Sequence, residues 1–84
     1  MTSVFVVRLY TYSGVGGTAI FSTLESAERL VARLNKHKEF VENHWRTLCD
    51  HEALYTDQET GERFLFSHIT EHTSVEVEKA ILYG

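Results

Sequence analysis

Five histidines are the residues of this 84-residue chain that most readily bind a metal ion, but their spacing does not suit one. His37, His44 and His51 are seven positions apart. Seven residues of helix rise about 10.5 Å, which is too far for joint coordination of one ion. His68 and His72 would adjoin only on a helix, whereas four residues of strand span about 13 Å. Because we predict a strand there, we expect no metal site and no cofactor.

Cys49, the single cysteine, could act as a nucleophile only beside a base such as His51 or His44. On a helix, side chains two positions apart diverge by about 200°, so Cys49 and His51 would not meet. A lone cysteine is usually buried, and a chain this short leaves little core for an enclosed pocket. We therefore expect no catalytic residue and predict that the protein is not an enzyme.

The glycine-rich segment 14–19 superficially matches a Gly-x-Gly-x-x-Ala phosphate-binding loop. That loop requires a helix immediately after it, so that the backbone amides and the helix dipole face the phosphate. Here a strand-like run, residues 18–21, follows instead. We therefore predict a turn over residues 13–17 between two antiparallel strands, residues 4–12 and 18–21.

The charge of the chain is unevenly distributed about a formal net value of −4. Residues 1–38 carry five basic and two acidic side chains, whereas residues 39–84 carry three basic and ten acidic ones. An acidic chain argues against nucleic-acid binding, which needs clustered Lys and Arg. The acidic side chains that we predict to contact a partner with a basic surface are Glu39, Glu42, Asp50, Glu52, Asp57 and Glu59. The alternative is that they only solubilise the protein.

The first strand presents a second candidate surface, because both of its faces are largely apolar. If helices cover the face of Phe5, Val7 and Leu9, the face that carries Arg8, Tyr10 and Tyr12 is left open. Large exposed apolar patches mark interaction sites. The sequence leaves three occupants open: another protein, a second copy in a homodimer, or residues 38–54 of the same chain.

One helix is predicted from Ser22, whose hydroxyl and the Glu25 carboxylate fit a capping box. Arg29, Arg33 and Lys36 fall on one side of this helix as a solvated stripe, and Glu25 can pair with Arg29. Helical spacing then predicts a second helix over residues 39–52. Alternation over residues 46–56 leaves a strand as the alternative.

A β-hairpin is predicted over residues 54–66, with Gly61 as the left-handed residue that closes a four-residue loop, and with its second strand continuing to Ile69. Residues 74–83 alternate as in a strand, although a cap at Ser74 would also permit a short helix. We therefore predict a single domain over residues 1–84. Its fold is α+β in the order β-β-α-α-β-β, with an antiparallel sheet and helices on one face.

The location predicted for the protein is the cytoplasm, of a bacterium or of a host cell. A domain of this size with one thiol forms no internal disulfide, which disfavours secretion. The apolar run Val4–Val7 has no basic segment before it, so it does not predict a signal peptide. No stretch approaches the roughly 18 apolar residues that span a bilayer, so we expect no membrane association.

Three segments resemble small uncharacterised proteins of bacteriophage and bacterial genomes: the strand at residues 4–10, the strand-to-helix junction at 20–28 and the strand at 75–82. The resemblance covers about half of the chain and is carried by structural motifs. It implies a phage or mobile-element accessory protein of α+β fold. Many such proteins bind a host protein, and some inhibit bacterial defence complexes, as anti-CRISPR proteins do.

The function predicted from these observations is that of a non-enzymatic protein-interaction module that binds and inhibits a host protein complex. The alternative is a module that binds a small molecule or nucleotide in a pocket at a homodimer interface. Arg8, Arg29, Arg33 or Tyr12 would contact that ligand.

Overall fold

The computed structural model describes residues 2–44, 53–66 and 73–83. The elements along the chain are β1 (Thr2–Thr11), β2 (Gly14–Phe21), α1 (Leu24–His44), β3 (Ala53–Thr56), β4 (Arg63–Phe66) and β5 (Ser74–Leu82). An α+β fold with an antiparallel sheet is therefore confirmed. The predicted order β-β-α-α-β-β is wrong, because the described residues contain one helix and run β-β-α-β-β-β.

β1 is the central strand of a three-stranded antiparallel sheet in the order β2-β1-β5. Val7 of β1 lies opposite Ala19 of β2 on one side and Val77 of β5 on the other. β1 therefore has a hydrogen-bonded strand along each of its two edges. The final segment is the strand that its alternation predicts, and not the alternative short helix.

α1 continues for 21 residues and includes residues 39–44, where a second helix was predicted to begin. No proline or glycine falls between Leu24 and His44 to end it. Its buried residues (Ala27, Leu30, Leu34 and Val41) form one apolar stripe at helical spacing, so the last turns pack with the first. The rest of that predicted helix, and residues 46–52 of the alternative strand, lie outside the described residues.

The N-cap of α1 is Thr23, one position after the Ser22 that the capping-box pattern indicated. The Thr23 hydroxyl oxygen accepts a hydrogen bond from the Ser26 amide at 3.2 Å, and its carbonyl accepts from the Ala27 amide at 3.3 Å. The Glu25 carboxylate instead faces along the helix, 3.4 Å from Arg29, which confirms that predicted pair. The helix thus begins with a satisfied first turn, with a cap shifted by one residue.

β2 begins at Gly14, so the glycines predicted to form a turn belong mostly to a strand; the turn is at Tyr12 and Ser13. The reason is tertiary. A Cβ at Gly17 would lie 2.7 Å from the carbonyl oxygen of Arg63, and one at Gly16 would collide with the Leu65 carbonyl. The glycines allow the backbone of β4 to approach β2 closely.

β3 and β4 form the predicted hairpin, a separate two-stranded antiparallel sheet. Its loop is closed by backbone hydrogen bonds from the Asp57 amide to the Glu62 carbonyl, 2.9 Å, and from the Gly61 amide to the Asp57 carbonyl, 2.8 Å. Gly61 has a φ of +74°, which confirms its predicted left-handed conformation. The continuation of β4 to Ile69 lies outside the described residues.

The core lies between α1, one face of the sheet and β4. Its fully or nearly fully buried members are Val7, Leu9, Ala19, Ala27, Leu30, Leu34, Phe64 and Phe66. The two phenylalanines come from β4, so the hairpin contributes the largest apolar side chains to this core. Its docking therefore contributes much of the apolar burial that stabilises the domain.

Candidate functional site

One face of the three-stranded sheet packs on α1, and no described element covers the other. β1 places Val7 and Leu9 against the helix and Val6, Arg8 and Tyr10 on the opposite side. We call this opposite side the open face. Tyr12, predicted to share it, lies instead in the turn after β1, where it is 72% exposed.

Five residues of the open face are apolar: Val4, Val6, Ile20, Ala80 and Leu82. Val6 lies opposite Ile20, and Val4 lies opposite Ala80. Ile20 is 66% exposed and Leu82 is 58% exposed. We call these five residues the apolar patch. Val6 is only 7% exposed, so the patch presents mainly two side chains to solvent, Ile20 and Leu82 on the two outer strands. Exposed large apolar side chains of this kind occur on surfaces that contact another molecule.

An ion pair borders the apolar patch. Arg8 Nη1 donates a hydrogen bond to the Glu78 carboxylate, which raises the pKa of Arg8. Glu76 lies directly opposite Arg8 on β5. One arginine and two glutamates leave this part of the open face with a net negative charge. The open face therefore combines an apolar patch with an acidic border.

Four of the six acidic residues predicted to contact a partner are described by the structure, and these four are not brought together on one surface. Glu39 and Glu42 are exposed on the last turns of α1, and Glu42 lies 4.0 Å from Lys38. Glu59 is on the hairpin loop, 3.3 Å from Arg33. Asp50 and Glu52 lie outside the described residues.

The structure corrects the prediction that Asp57 contacts a partner, because the Asp57 side chain is fully buried. Its two carboxylate oxygens accept hydrogen bonds from Arg33 Nε at 2.6 Å and Arg33 Nη2 at 3.0 Å. The Tyr55 hydroxyl donates at 3.1 Å, and the Thr60 amide and hydroxyl donate at 3.1 and 3.0 Å. Both carboxylate oxygens of Asp57 are therefore hydrogen-bonded within the fold, and they connect the hairpin to the helix.

The pKa of Asp57 reflects two opposed effects. Burial raises it, but the hydrogen bonds from Arg33, Thr60 and Tyr55 outweigh burial and lower the pKa from 3.8 to about 2. The pKa of Tyr55 is raised by its own burial and by its hydrogen bond to Asp57. Asp57 is therefore ionised in the folded protein at neutral pH, and Tyr55 is neutral.

The structure also corrects the prediction for Arg33. The stripe of Arg29, Arg33 and Lys36 was predicted to be solvated, but the Arg33 side chain is partly buried. Arg33 is 27% exposed and paired with Asp57, and Arg29 lies 3.9 Å from Glu59. The signal available in the sequence was an aspartate at the start of a four-residue loop, a position where its side chain can bond nearby backbone amides. Its arginine partner could not be chosen from the sequence.

His37 is a residue to which the sequence analysis assigned no role beyond a rejected metal site. Its ring lies 4.8 Å from that of Tyr55 and 5.0 Å from that of Phe66, measured between centroids. Nε2 of His37 is buried and has no hydrogen-bond partner among the described residues. Burial lowers the pKa of His37, so its imidazole is neutral at pH 7.

Within the described ranges, no group of three His, Cys, Asp or Glu side chains could hold a metal ion. Cys49, His51, His68 and His72 lie outside those ranges. Nor does any helix of the described chain have the length and apolar character needed to cross a membrane.

The residues proposed for a small-molecule site do not converge. Arg8 pairs with Glu78 on the sheet, whereas Arg29 and Arg33 lie on α1 beside the hairpin. Comparison with known proteins found no protein-family model, no curated protein and no solved structure that matches this chain.

Proposed function

We propose that this protein is a non-enzymatic interaction module that binds a partner protein through the open face of its sheet. The observation that carries the proposal is the apolar patch beside an acidic border. Ile20 and Leu82 keep more than half of their surface exposed while lying beside other apolar side chains. Protein interfaces commonly have such an apolar centre with a polar rim.

The occupant that we propose for the open face is a different protein with a basic group beside an apolar surface. Glu76 and Glu78 outnumber Arg8 at the border of the patch. A basic group on the partner would complement this charge and would speed association at low salt. Two copies of this chain packed face to face would instead bring acidic borders of like sign close together.

The open face is favoured over the acidic residues of the helix and hairpin. Asp57 is buried, and Glu59 is paired with Arg33, so two of the six predicted contacts are engaged within the fold. Glu39 and Glu42 remain exposed and provide a direct test of the other surface.

The resemblance to phage and mobile-element proteins supports a further part of the proposal: the partner is a bacterial host protein, and binding inhibits a defence complex. Steric blockage requires only a stable interface and no catalytic group. This part is tested by measuring phage restriction in bacteria that carry defence systems, with and without this protein. Unchanged restriction by every system tested would overturn the inhibition of defence.

The binding surface is tested by photo-crosslinking from position 20 in host cells, with position 54 as the control. Leu54 is a matched residue, because it is 57% exposed and lies on β3, away from the open face. We expect a crosslinked protein from position 20 only. With that partner purified, Ile20→Glu should weaken binding at least about tenfold, and Leu54→Glu should change it less than about twofold.

Charge variants separate the two candidate surfaces. Glu76→Gln with Glu78→Gln should reduce the salt dependence of binding, whereas Glu39→Lys with Glu42→Lys should leave the affinity unchanged. Binding that is lost in the second pair but retained in Ile20→Glu would overturn the open-face proposal. A dimer in sedimentation that Ile20→Glu dissociates would make the occupant a second copy and overturn the proposal of a different protein.

A further inference from the structure

The outer strand β5 has one edge that pairs with no strand in the described part of the chain. Its nine residues, Ser74–Leu82, pair with β1 in an unbroken antiparallel register, and β1 lies on one side of β5 only. The backbone amides and carbonyls that alternate along the other side therefore have no strand partner among the described residues. Such an edge can accept a further strand from another molecule.

This edge is more regular than that of β2, the other outer strand of the sheet. The register between β1 and β2 shifts between Leu9 and Tyr10, which leaves Gly16 outside the pairing. An extra residue of this kind twists a strand and interrupts the even spacing that a further strand needs. β5 has no such shift and contains no proline. Of the two outer strands, β5 is therefore the better template for strand addition.

The side chains of β5 offer different chemistry on its two faces. On the face towards α1, Val77 is 38% exposed and Ile81 is 49% exposed, so the helix leaves part of this strand uncovered. On the open face, Glu78 is bound by Arg8, whereas Glu76 is exposed and has no ion-pair partner within the described ranges. A strand added here would contact apolar side chains on one face and an unpaired carboxylate on the other.

The charges of β5 disfavour a second copy of the chain at this edge. An antiparallel pair of β5 strands centred on Glu78, the middle residue, would place the two Glu78 side chains opposite each other. A pair centred on Lys79 would oppose the two lysines, and one centred on Val77 would oppose Glu76 and Glu78. Like charges directly opposite each other across two strands are destabilising. A strand from another protein, with a basic residue beside Glu76, avoids this cost.

We propose that the partner protein adds an extended segment to the outer edge of β5, as a fourth strand of the sheet. This inference rests on the proposed partner binding and specifies its form. The added segment has a Lys or Arg opposite Glu76 and apolar residues opposite Val77 and Ile81. Its backbone pairs with the edge of β5, and the rest of the partner lies over the neighbouring apolar patch.

A synthetic peptide tests strand addition with the whole protein. The peptide Lys-Val-Thr-Val-Ser-Val-Thr-Val-Lys, with blocked ends, reads the same in both directions. It can therefore place lysine beside Glu76 and valine beside Val77 and Ile81 in a parallel or an antiparallel pair. We expect saturable binding below about 1 mM. In NMR spectra, amide hydrogen exchange should slow at every second residue of β5, because only the outward amides gain a partner.

Two methylated forms of the peptide separate backbone pairing from side-chain contact. N-methylation of the valines blocks the amides on one edge of the peptide strand, and N-methylation of the Thr and Ser residues blocks those on the other edge. We expect one form to bind like the unmodified peptide and the other to bind at least about tenfold more weakly. Equal effects of the two methylation patterns would overturn strand addition.

Charge variants test the basic residue. Glu76→Lys should weaken binding of the lysine peptide about fivefold, whereas Glu62→Lys, the same change at an exposed residue of the hairpin loop, should leave it within about twofold. A peptide with Glu in place of both lysines should bind Glu76→Lys better than the original protein. The reverse order would contradict a basic residue beside Glu76.

The remaining outcomes distinguish this inference from the proposed function. No saturation by about 1 mM, with unchanged exchange in β5, overturns strand addition. A dimer whose β5 amides are already protected without peptide makes the occupant a second copy and also overturns it. A partner that crosslinks from position 20 but leaves β5 exchange unchanged overturns strand addition alone. Peptide addition to β5 without any crosslink from position 20 overturns the open-face proposal instead.

Discussion

Arg33 of the helix and the buried Asp57 of the hairpin form a two-point ion pair, with Nε–Oδ1 at 2.6 Å and Nη2–Oδ2 at 3.0 Å. The two residues are 24 positions apart. The pair joins the basic first part of the chain to the acidic second part. Some of the charge asymmetry is therefore neutralised inside the protein.

Replacing Asp57 by Asn should destabilise the protein by about 3 kcal/mol, because the partly buried Arg33 would keep only the half-exposed Glu59 as a counter-ion. Urea unfolding of the variant and the original protein measures this difference. Glu59→Gln is the control: its carboxylate is half exposed, so the loss should be below about 1 kcal/mol. Equal losses in the two variants would contradict a structural role for the buried pair.

The low pKa of Asp57 also predicts a pH dependence. A carboxyl group whose folded pKa is about 2, below its ordinary 3.8, stabilises the folded protein above the ordinary pKa. That contribution, about 2 kcal/mol, is lost as the pH falls from about 4 to 2. Unfolding free energies measured across this range should fall more steeply for the original protein than for Asp57→Asn. Parallel curves would contradict the assignment.

His37 should make the stability of the folded protein depend on pH in a higher range than Asp57 does. Because burial lowers its pKa below 6.5, the folded state favours neutral imidazole, and its contribution is lost as the pH falls from 6.5 through the folded value. His37→Leu keeps a similar volume and removes the titrating group. We expect thermal unfolding curves of this variant to change less between pH 7 and pH 5 than those of the original protein. The same change in both would refute this role of His37.

Gly16 should tolerate no side chain, because a Cβ there would collide with the Leu65 carbonyl. We expect Gly16→Ala to cost more than about 2 kcal/mol, since the backbone of β4 would have to shift. Gly61→Ala is the matched control, with open space around it and a φ of +74°. It should cost only about 1 kcal/mol, from the left-handed backbone. Chemical denaturation of both variants checks the order, which would be reversed if β4 did not lie against β2.

The cap of α1 provides a test that separates neighbouring residues. Thr23→Ala should cost about 1 kcal/mol, because the Ser26 amide loses its acceptor. Ser22→Ala should stay within about 0.5 kcal/mol. Thermal unfolding of the two variants distinguishes them, and a larger loss at Ser22 would restore the capping box expected from the sequence.

Local patterns predicted several elements correctly, and the reason is that each depends on neighbouring residues. β1, the hairpin closed by Gly61 and the strand β5 follow from alternation and from one left-handed glycine. The start of α1 was predicted to within one residue. The start of a second helix at residue 39 was wrong. No proline or glycine between Leu24 and His44 stops the first helix, so α1 continues through this point.

The sequence by itself determined whether most elements are helix or strand, because side-chain periodicity is a local property. It also showed that the first strand is apolar on both faces. Only the tertiary structure decided that Gly16 and Gly17 admit β4, and that Arg33 pairs with Asp57 instead of facing solvent. It also placed the His37 ring against that of Tyr55. These are contacts between distant parts of the chain, and the energy of such a contact depends on packing geometry that no local pattern encodes.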